Sequence, residues 1–218
     1  MSDKFTSLTP ELYRYMLDSS WHPDEIEQQL IARTVEIGDE AAMQTAPDQA
    51  ALLAMFIRML GARNVAEIGT FTGLSALAMA RALPPDGRLL CCDVNAEWVN
   101  VGRPYWERAG VSRKIEVAIG PALQTLRALP ADTVFDLSYI DADKESYIDY
   151  YEELLSRTRS GGIVALDNVL WGGSVVDTTN TSRSTESIRA VNIHIAADER
   201  VDRVMLSIGD GLTIAMKR

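Results

Sequence analysis

The sequence predicts a doubly wound α/β sheet with a helical N-terminal extension and an antiparallel pair of strands at its end. Three observations carry this. Residues 8–60 have a helical pattern throughout. After them, short continuous apolar runs alternate with helical stretches, as parallel strands covered on both faces require. Two final β-rich runs flank Gly209-Asp210-Gly211, a short connection that signals a hairpin.

The elements follow in order. Thr9 caps a first helix with Pro10 at its first position. A second helix is expected over Glu25–Gly38. A third is expected over Pro47–Leu60, started near Asp48 and stopped by Gly61. Asn64–Ile68 is a strand, and Leu74–Leu83 a helix with Leu74, Leu77, Ala78 and Arg81 on one face. Arg88–Asp93 is a strand, Glu97–Ala109 a helix closed by Gly110, Lys114–Ile119 a strand and Ala122–Leu129 a helix. Phe135–Ile140 is a strand and Tyr147–Ser156 a helix. A turn at Ser160-Gly161-Gly162 leads to the fifth strand, Ile163–Leu166. Ser184–Ala197 is helical, and Val201–Ile208 and Leu212–Met216 form the hairpin. Five parallel strands and a hairpin make a different sheet from a six-stranded dinucleotide-binding fold. One domain over 1–218 is expected, with 1–60 as a helical cap and 61–218 as the core.

The net charge of −10 makes the chain a poor counterion for nucleic acid or anionic lipid. No apolar run approaches the roughly 18 residues that span a bilayer. Met1-Ser2-Asp3-Lys4 leads into no signal-like apolar stretch. Cys91 and Cys92 are adjacent and have no zinc spacing around them, so they read as core side chains of a reduced, cytoplasmic protein.

The first strand runs into Glu67-Ile68-Gly69-Thr70-Phe71-Thr72-Gly73, which places this loop where open α/β sheets bind ligands. A dinucleotide loop needs glycine at three set positions. Here Phe71 and Leu74 take two of them, and no Gly-Lys-Ser/Thr phosphate loop is present. Glu67 would repel an anion, so the loop suits an adenosine ligand with positive charge, such as S-adenosylmethionine. It also reads as an ordinary tight turn. Asp93, ending the second strand about twenty residues on, can accept both ribose hydroxyls; a helix N-cap is the plainer alternative. Small residues at Gly120-Pro121-Ala122 leave room for an adenine ring or make a simple turn.

A second cluster closes the fourth and fifth strands. Asp141, Asp167 and Asn168 offer two carboxylates and an amide oxygen, with no His or Cys, a hard set suited to Mg²⁺. Strand-end caps are the alternative for the two aspartates. Asp-x-Asp also opens haloacid-dehalogenase phosphatases, but that motif normally sits on a first strand and continues with Thr or Val, not with Lys144.

Together these residues resemble the cation-dependent class I O-methyltransferases, the caffeoyl-CoA and catechol type with bacterial small-molecule members. The resemblance spans roughly residues 35–218. It rests on Met43-Gln44-Thr45, Glu67 to Ser75, Asp93, Ile140-Asp141-Ala142-Asp143-Lys144 and Asp167-Asn168-Val169-Leu170-Trp171. It implies a Rossmann-like seven-stranded sheet with a reversed last strand, and a homodimer. It implies S-adenosylmethionine against Met43, Thr45, Glu67, Gly69, Thr70, Ser75, Asp93, Ala122 and Asp143. It puts Mg²⁺, or another divalent cation such as Mn²⁺ or Ca²⁺, on Asp141, Asp167 and Asn168.

In this resemblance Lys144 falls where the catechol enzymes carry a general base, and Trp171 lies in the substrate-facing loop. Plant members carry Asn where this chain has Gly172. The N-terminal helices line the acceptor pocket in this family, and their Trp21-His22-Pro23 matches no substrate pattern. The expected reaction is methyl transfer to a hydroxyl of a catechol or other vicinal diol that chelates the cation through both oxygens, with Asp141, Lys144 and Trp171 facing it. A tRNA hydroxyuridine methyltransferase is the alternative within the family, and the acidic charge counts against it. A cofactor-binding scaffold without activity is a further alternative, opposed by the oxygen trio and Lys144.

Overall fold

The computed structural model describes residues 6–20 and 22–218; the Met1–Lys4 start and Trp21 lie outside them. The N-terminal region is helical as the pattern requires. Helix α1 (Pro10–Asp18) opens on Pro10, with the Thr9 hydroxyl accepting from the Leu12 N–H. Helix α2 (Glu25–Val35) starts with a reciprocal capping box between Asp24 and Glu27. It ends three residues short of Gly38 in a turn, and a 3₁₀ segment, Asp39–Met43, follows Gly38. Helix α3 (Pro47–Leu60) has the expected bounds. Its cap position is Ala46 rather than the Asp48 region, and Gly61 closes it at φ 58°.

The remaining elements are β1 (Asn64–Ile68), α4 (Leu74–Ala82), β2 (Arg88–Asp93), α5 (Ala96–Arg108), β3 (Ile115–Ile119), α6 (Ala122–Ala128), β4 (Phe135–Ile140), α7 (Tyr147–Ser156), β5 (Thr158–Leu166), α8 (Arg183–Ala197), β6 (Val201–Leu206) and β7 (Leu212–Lys217). They form one seven-stranded sheet in the order β3-β2-β1-β4-β5-β7-β6. The first five strands pair in parallel, and β7 runs antiparallel to both neighbours. The reversed strand is therefore the last one, set inside the sheet, with β6 at the edge.

One strand differs from the expectation. Ser160-Gly161-Gly162 is not a turn before β5 but an irregularity within it, where the β4–β5 register shifts between Phe135 and Leu137. Gly161 takes φ 74°, and a side chain at Gly162 would press on the Asp136 backbone oxygen. The glycines bend the strand without ending it.

Strand alternation sends neighbouring residues to opposite faces. Val65, Leu89, Cys91, Leu137 and Tyr139 pack under α2–α5, while Ala66, Leu90, Cys92 and Ile140 pack under α6–α8. Cys91 and Cys92 are thus free thiols buried on two sides of the sheet. No described helix is long and apolar enough to cross a membrane. This layering brings the carboxyl ends of β1, β2, β4 and β5 to one edge of the sheet.

Candidate active site

A cavity of about 800 Å³ opens along that edge. One end of it is built by the β1–α4 loop. Gly69 (φ 88°) is required because a side chain there would fall on the backbone oxygen of Asp141, where β1 and β4 end side by side. At Gly73 (φ 74°) the obstacle would be the Trp106 ring, whose Nε1 donates to the Gly73 carbonyl at 3.0 Å. These glycines serve close packing, consistent with a loop not shaped for pyrophosphate.

Asp93 ends β2 against this loop. Its Oδ2 accepts from the N–H groups of Thr70 (2.9 Å) and Phe71 (2.7 Å), and its Oδ1 from that of Asn95 (2.8 Å). The cap of α5 is Asn95, which accepts from Glu97 and Trp98. Asp93 is thus not the helix cap; it fixes the loop while lining the cavity. Phe71 and Trp98 meet edge to face at 5.3 Å and form an aromatic wall beside it.

The other expected cofactor residues are distributed around the same space. Met43 and Thr45 lie just before α3, Ser75 in the first turn of α4 and Ala122 at the start of α6; all line the cavity. Asp143 lines it too, accepting from the hydroxyls of Tyr150 (2.6 Å) and Ser146. Glu67 is the exception. It is fully buried behind the wall, accepting from the Ser75 hydroxyl at 2.6 Å and the Cys91 thiol at 3.4 Å. Burial pushes its carboxyl up to about 7, against these hydrogen bonds. Ser75, which does line the cavity, links Glu67 to it.

The second end of the cavity holds Asp141, Lys144, Asp167, Asn168 and Trp171 together. Burial, and then the charge of Asp167, push Asp141 above the usual carboxylate range, while Lys144 pulls the other way. Lys144 Nζ donates to Asp141 Oδ1 at 3.2 Å and to the Tyr147 hydroxyl at 2.7 Å, and stands 5.8 Å from the Trp171 ring centre. Tyr147 opens α7 and is fully buried, so it has both a packing role and a contact with the site. Among the described residues no group of three or more His, Cys, Asp or Glu side chains converges as a metal site. The donors here are instead two carboxylates and one amide. Two repelling carboxylates in a largely buried, all-oxygen set fit a hard divalent cation.

Several residues that support the wall from behind were not legible in the sequence. Tyr139, on β4, donates to Asp167 Oδ2 at 2.6 Å and accepts from Gln49 Nε2 at 2.9 Å. The 3₁₀ segment Trp171–Val176 is held by Asp210, whose Oδ1 accepts from the Gly172 N–H at 2.7 Å, and by Arg189, which donates to the carbonyls of Ser174 (2.9 Å) and Val175 (3.1 Å). Among the described residues, left-handed backbone outside glycine occurs at Phe71, Asn168 and Trp171, with φ of 51°, 56° and 49°. All three line this cavity, which matches the tendency of backbone strain to gather at functional sites.

Comparison with known proteins agrees with this geometry. Residues 18–218 match the O-methyltransferase family. Caffeoyl-CoA O-methyltransferase 2 of Zea mays is 39% identical, over 95% of this chain and 83% of its own length. Catechol O-methyltransferase domain-containing protein 1 of Mus musculus is 40% identical, over 96% of this chain and 82% of its own. The structure of the O-methyltransferase TomG from Streptomyces achromogenes, involved in tomaymycin synthesis and solved with SAM, superposes with a TM-score of 0.87 at 28% identity, covering 95% of this chain and 96% of that one. An O-methyltransferase from Bacillus cereus, solved with SAH, gives 0.86 at 29% identity over 94% and 96%. The phosphatase reading of Asp141-Ala142-Asp143 has no support beside these matches. With its reversed last strand and its cavity at the strand ends, the chain belongs to the O-methyltransferase family, of the caffeoyl-CoA type, and is an S-adenosylmethionine-dependent O-methyltransferase.

Proposed function

We propose that the chain transfers the methyl group to a hydroxyl of a catechol-like or other vicinal-diol small molecule, with Mg²⁺ or another divalent cation held by Asp141, Asp167 and Asn168. The observation that carries this reading is the gathering of that oxygen trio and Lys144 at one end of a cavity whose other end is the Asp93-bound loop. When bound, such a cation acidifies a hydroxyl and orients a diol through both oxygens. Lys144 then receives the acceptor's proton. Asp141 Oδ1 at 3.2 Å and the Tyr147 hydroxyl at 2.7 Å hold the Lys144 nitrogen in place for that role. The Trp171 ring covers the acceptor, and Arg189 and Asp210 hold the segment that presents it. The cofactor lies against Met43, Thr45, Gly69, Thr70, Ser75, Asp93, Ala122 and Asp143, with Glu67 fixing Ser75 from behind.

Charge narrows the acceptor. Among the described residues the cavity wall carries the carboxylates of Asp93, Asp141, Asp143, Glu145, Asp167 and Asp210 against the single amine of Lys144. With Asp141 and Asp167 given to the cation and Asp93 and Asp143 to the cofactor, Glu145 and Asp210 remain to disfavour polyanions, which favours a free neutral or cationic diol over a CoA ester or a tRNA. We also propose a homodimer. Exposed Met55 and Met59 on α3 and the exposed edge strand β6 support it, and sedimentation measures it.

The deciding experiment follows labelled methyl transfer to catechol, its monophenol analogue and a catechol CoA ester, with Mg²⁺ and with EDTA. Turnover of catechol that EDTA abolishes and Mg²⁺ or Mn²⁺ restores is expected, with little reaction of the other two acceptors. Full activity in thoroughly chelated enzyme sinks the cation, and equal rates for monophenol and catechol sink the diol.

A further inference from the structure

We infer that Tyr139 and Gln49 are positioning residues that fix the Asp167 carboxylate for cation binding; the inference rests on the cation reading above. Tyr139 is fully buried on β4, and its hydroxyl is the hinge of a short chain of hydrogen bonds. A phenol has one proton to give and two lone pairs to fill. The Gln49 amide, on the first turn of α3 and itself buried, donates to the phenol oxygen at 2.9 Å. The proton faces two carboxylates at unequal distances. Asp167 Oδ2 lies at 2.6 Å and Asp141 Oδ2 at 3.4 Å, so the proton goes to Asp167.

Asp167 is held at its other oxygen as well, since Oδ1 accepts from the N–H of Asn168 at 2.6 Å. The carboxylate plane is therefore set from both sides before any ligand arrives. Gln49 Oε1 packs close against Gly209, where any side chain would collide with it. The chain of contacts thus runs from α3 through β4 to the end of β5.

A phenylalanine at position 139 would fill the same apolar space beneath α3. What the tyrosine adds is one hydroxyl aimed at a candidate ligand. Partners of this kind, outside the ligands themselves, commonly change metal affinity by about 10–100-fold when removed.

The test is direct titration of the full-length protein with Mn²⁺, without acceptor, reading bound metal by electron paramagnetic resonance. Tyr139→Phe should weaken Mn²⁺ binding by about tenfold. Its affinity for S-adenosylhomocysteine should stay within about twofold of the wild-type value, since Asp93 and the glycine loop are untouched and only a long, 3.4 Å approach to the Thr45 hydroxyl is lost. Gln49→Leu should weaken Mn²⁺ binding less. The double variant should match Tyr139→Phe alone, because Gln49 acts through the phenol. If the orphaned Gln49 amide prevents Tyr139→Phe from folding, the double variant, apolar at both positions, carries the test. A folded variant lacking the Tyr139 hydroxyl with wild-type Mn²⁺ affinity overturns the inference and leaves the cation reading standing. Failure of the wild-type protein itself to bind Mn²⁺ overturns both.

Discussion

Replacing Asp93 with alanine removes the acceptor for three backbone amides at once. Thr70 and Phe71 lose Oδ2, and Asn95 loses Oδ1. Asp93 is buried, so water satisfies these donors poorly after truncation. A hydrogen bond to a charged group contributes about 1.5–3 kcal/mol, and about 1.4 kcal/mol corresponds to tenfold in affinity. Losing the equivalent of one such bond to the cofactor therefore weakens it by about tenfold to a hundredfold. The unsettled loop adds to that loss, because Phe71 already sits at φ 51° and depends on Asp93 to stay there. Asp93→Asn is a graded version. Its single oxygen can keep Thr70 and Phe71, while its amide group meets the Asn95 N–H donor to donor. Calorimetric titration with S-adenosylhomocysteine should rank wild type above Asp93→Asn above Asp93→Ala, with melting temperatures in the same order. A folded Asp93→Ala protein with wild-type affinity would remove Asp93 from the cofactor site.

Two further outcomes are expected. Lys144→Ala should lower kcat with a catechol by about 10²–10⁴-fold at pH 7 and recover part of it at high pH, where the acceptor ionises unaided; unchanged cofactor affinity is the control, and wild-type kcat at pH 7 would remove Lys144 as the base. Far from the cavity, Asp198 accepts from the Arg200 guanidinium and N–H and from the Tyr151 hydroxyl, and these bonds, Arg200 first, hold its carboxyl well below the usual range. A depressed carboxylate stabilises the fold above its unfolded value near pH 4 and loses that contribution as pH falls through the folded value. Arg200 is half exposed, so the contribution is about 1–2 kcal/mol. Urea unfolding should find Asp198→Asn less stable by that amount at pH 7, with the deficit shrinking progressively as pH falls below about 4, and a deficit that stays constant down to about pH 2 would contradict the ion pair.

The parts of the fold that were legible had local signals. The apolar runs of β1, β2 and β4 and the Pro47 and Gly61 punctuation of α3 match the structure to the residue. The first half of β5 was hidden because Gly161-Gly162 looks the same whether a chain turns or bulges. The 3₁₀ segments Asp39–Met43 and Trp171–Val176 are short and lack side-chain caps, so nothing in the pattern announces them. Most site residues were readable through motifs at strand ends, where loops and ligands meet. Tyr139 was not: its partners Gln49 and Asp167 stand 90 and 28 residues away, and no spacing encodes such a contact. The partners of Glu67, Ser75 eight residues on and Cys91 on the next strand, are likewise set by the sheet rather than by any motif.

The position of β7 bears on how the molecule is assembled. β7 follows every other strand in the sequence, yet it lies between β5 and β6 and bonds to both. Before β7 inserts, β5 has an open edge that any passing strand can pair with, and β6 has no neighbour in the sheet. Synthesis proceeds from the N-terminus, so this gap stays open until Leu212–Lys217 has left the ribosome. Gly211 and Asp210, which lead into β7, accept from the N–H groups of Val169 and Leu170, just beyond Asp167 and Asn168. The backbone just beyond Asp167 and Asn168 therefore gains these two hydrogen bonds only when the closing strand docks.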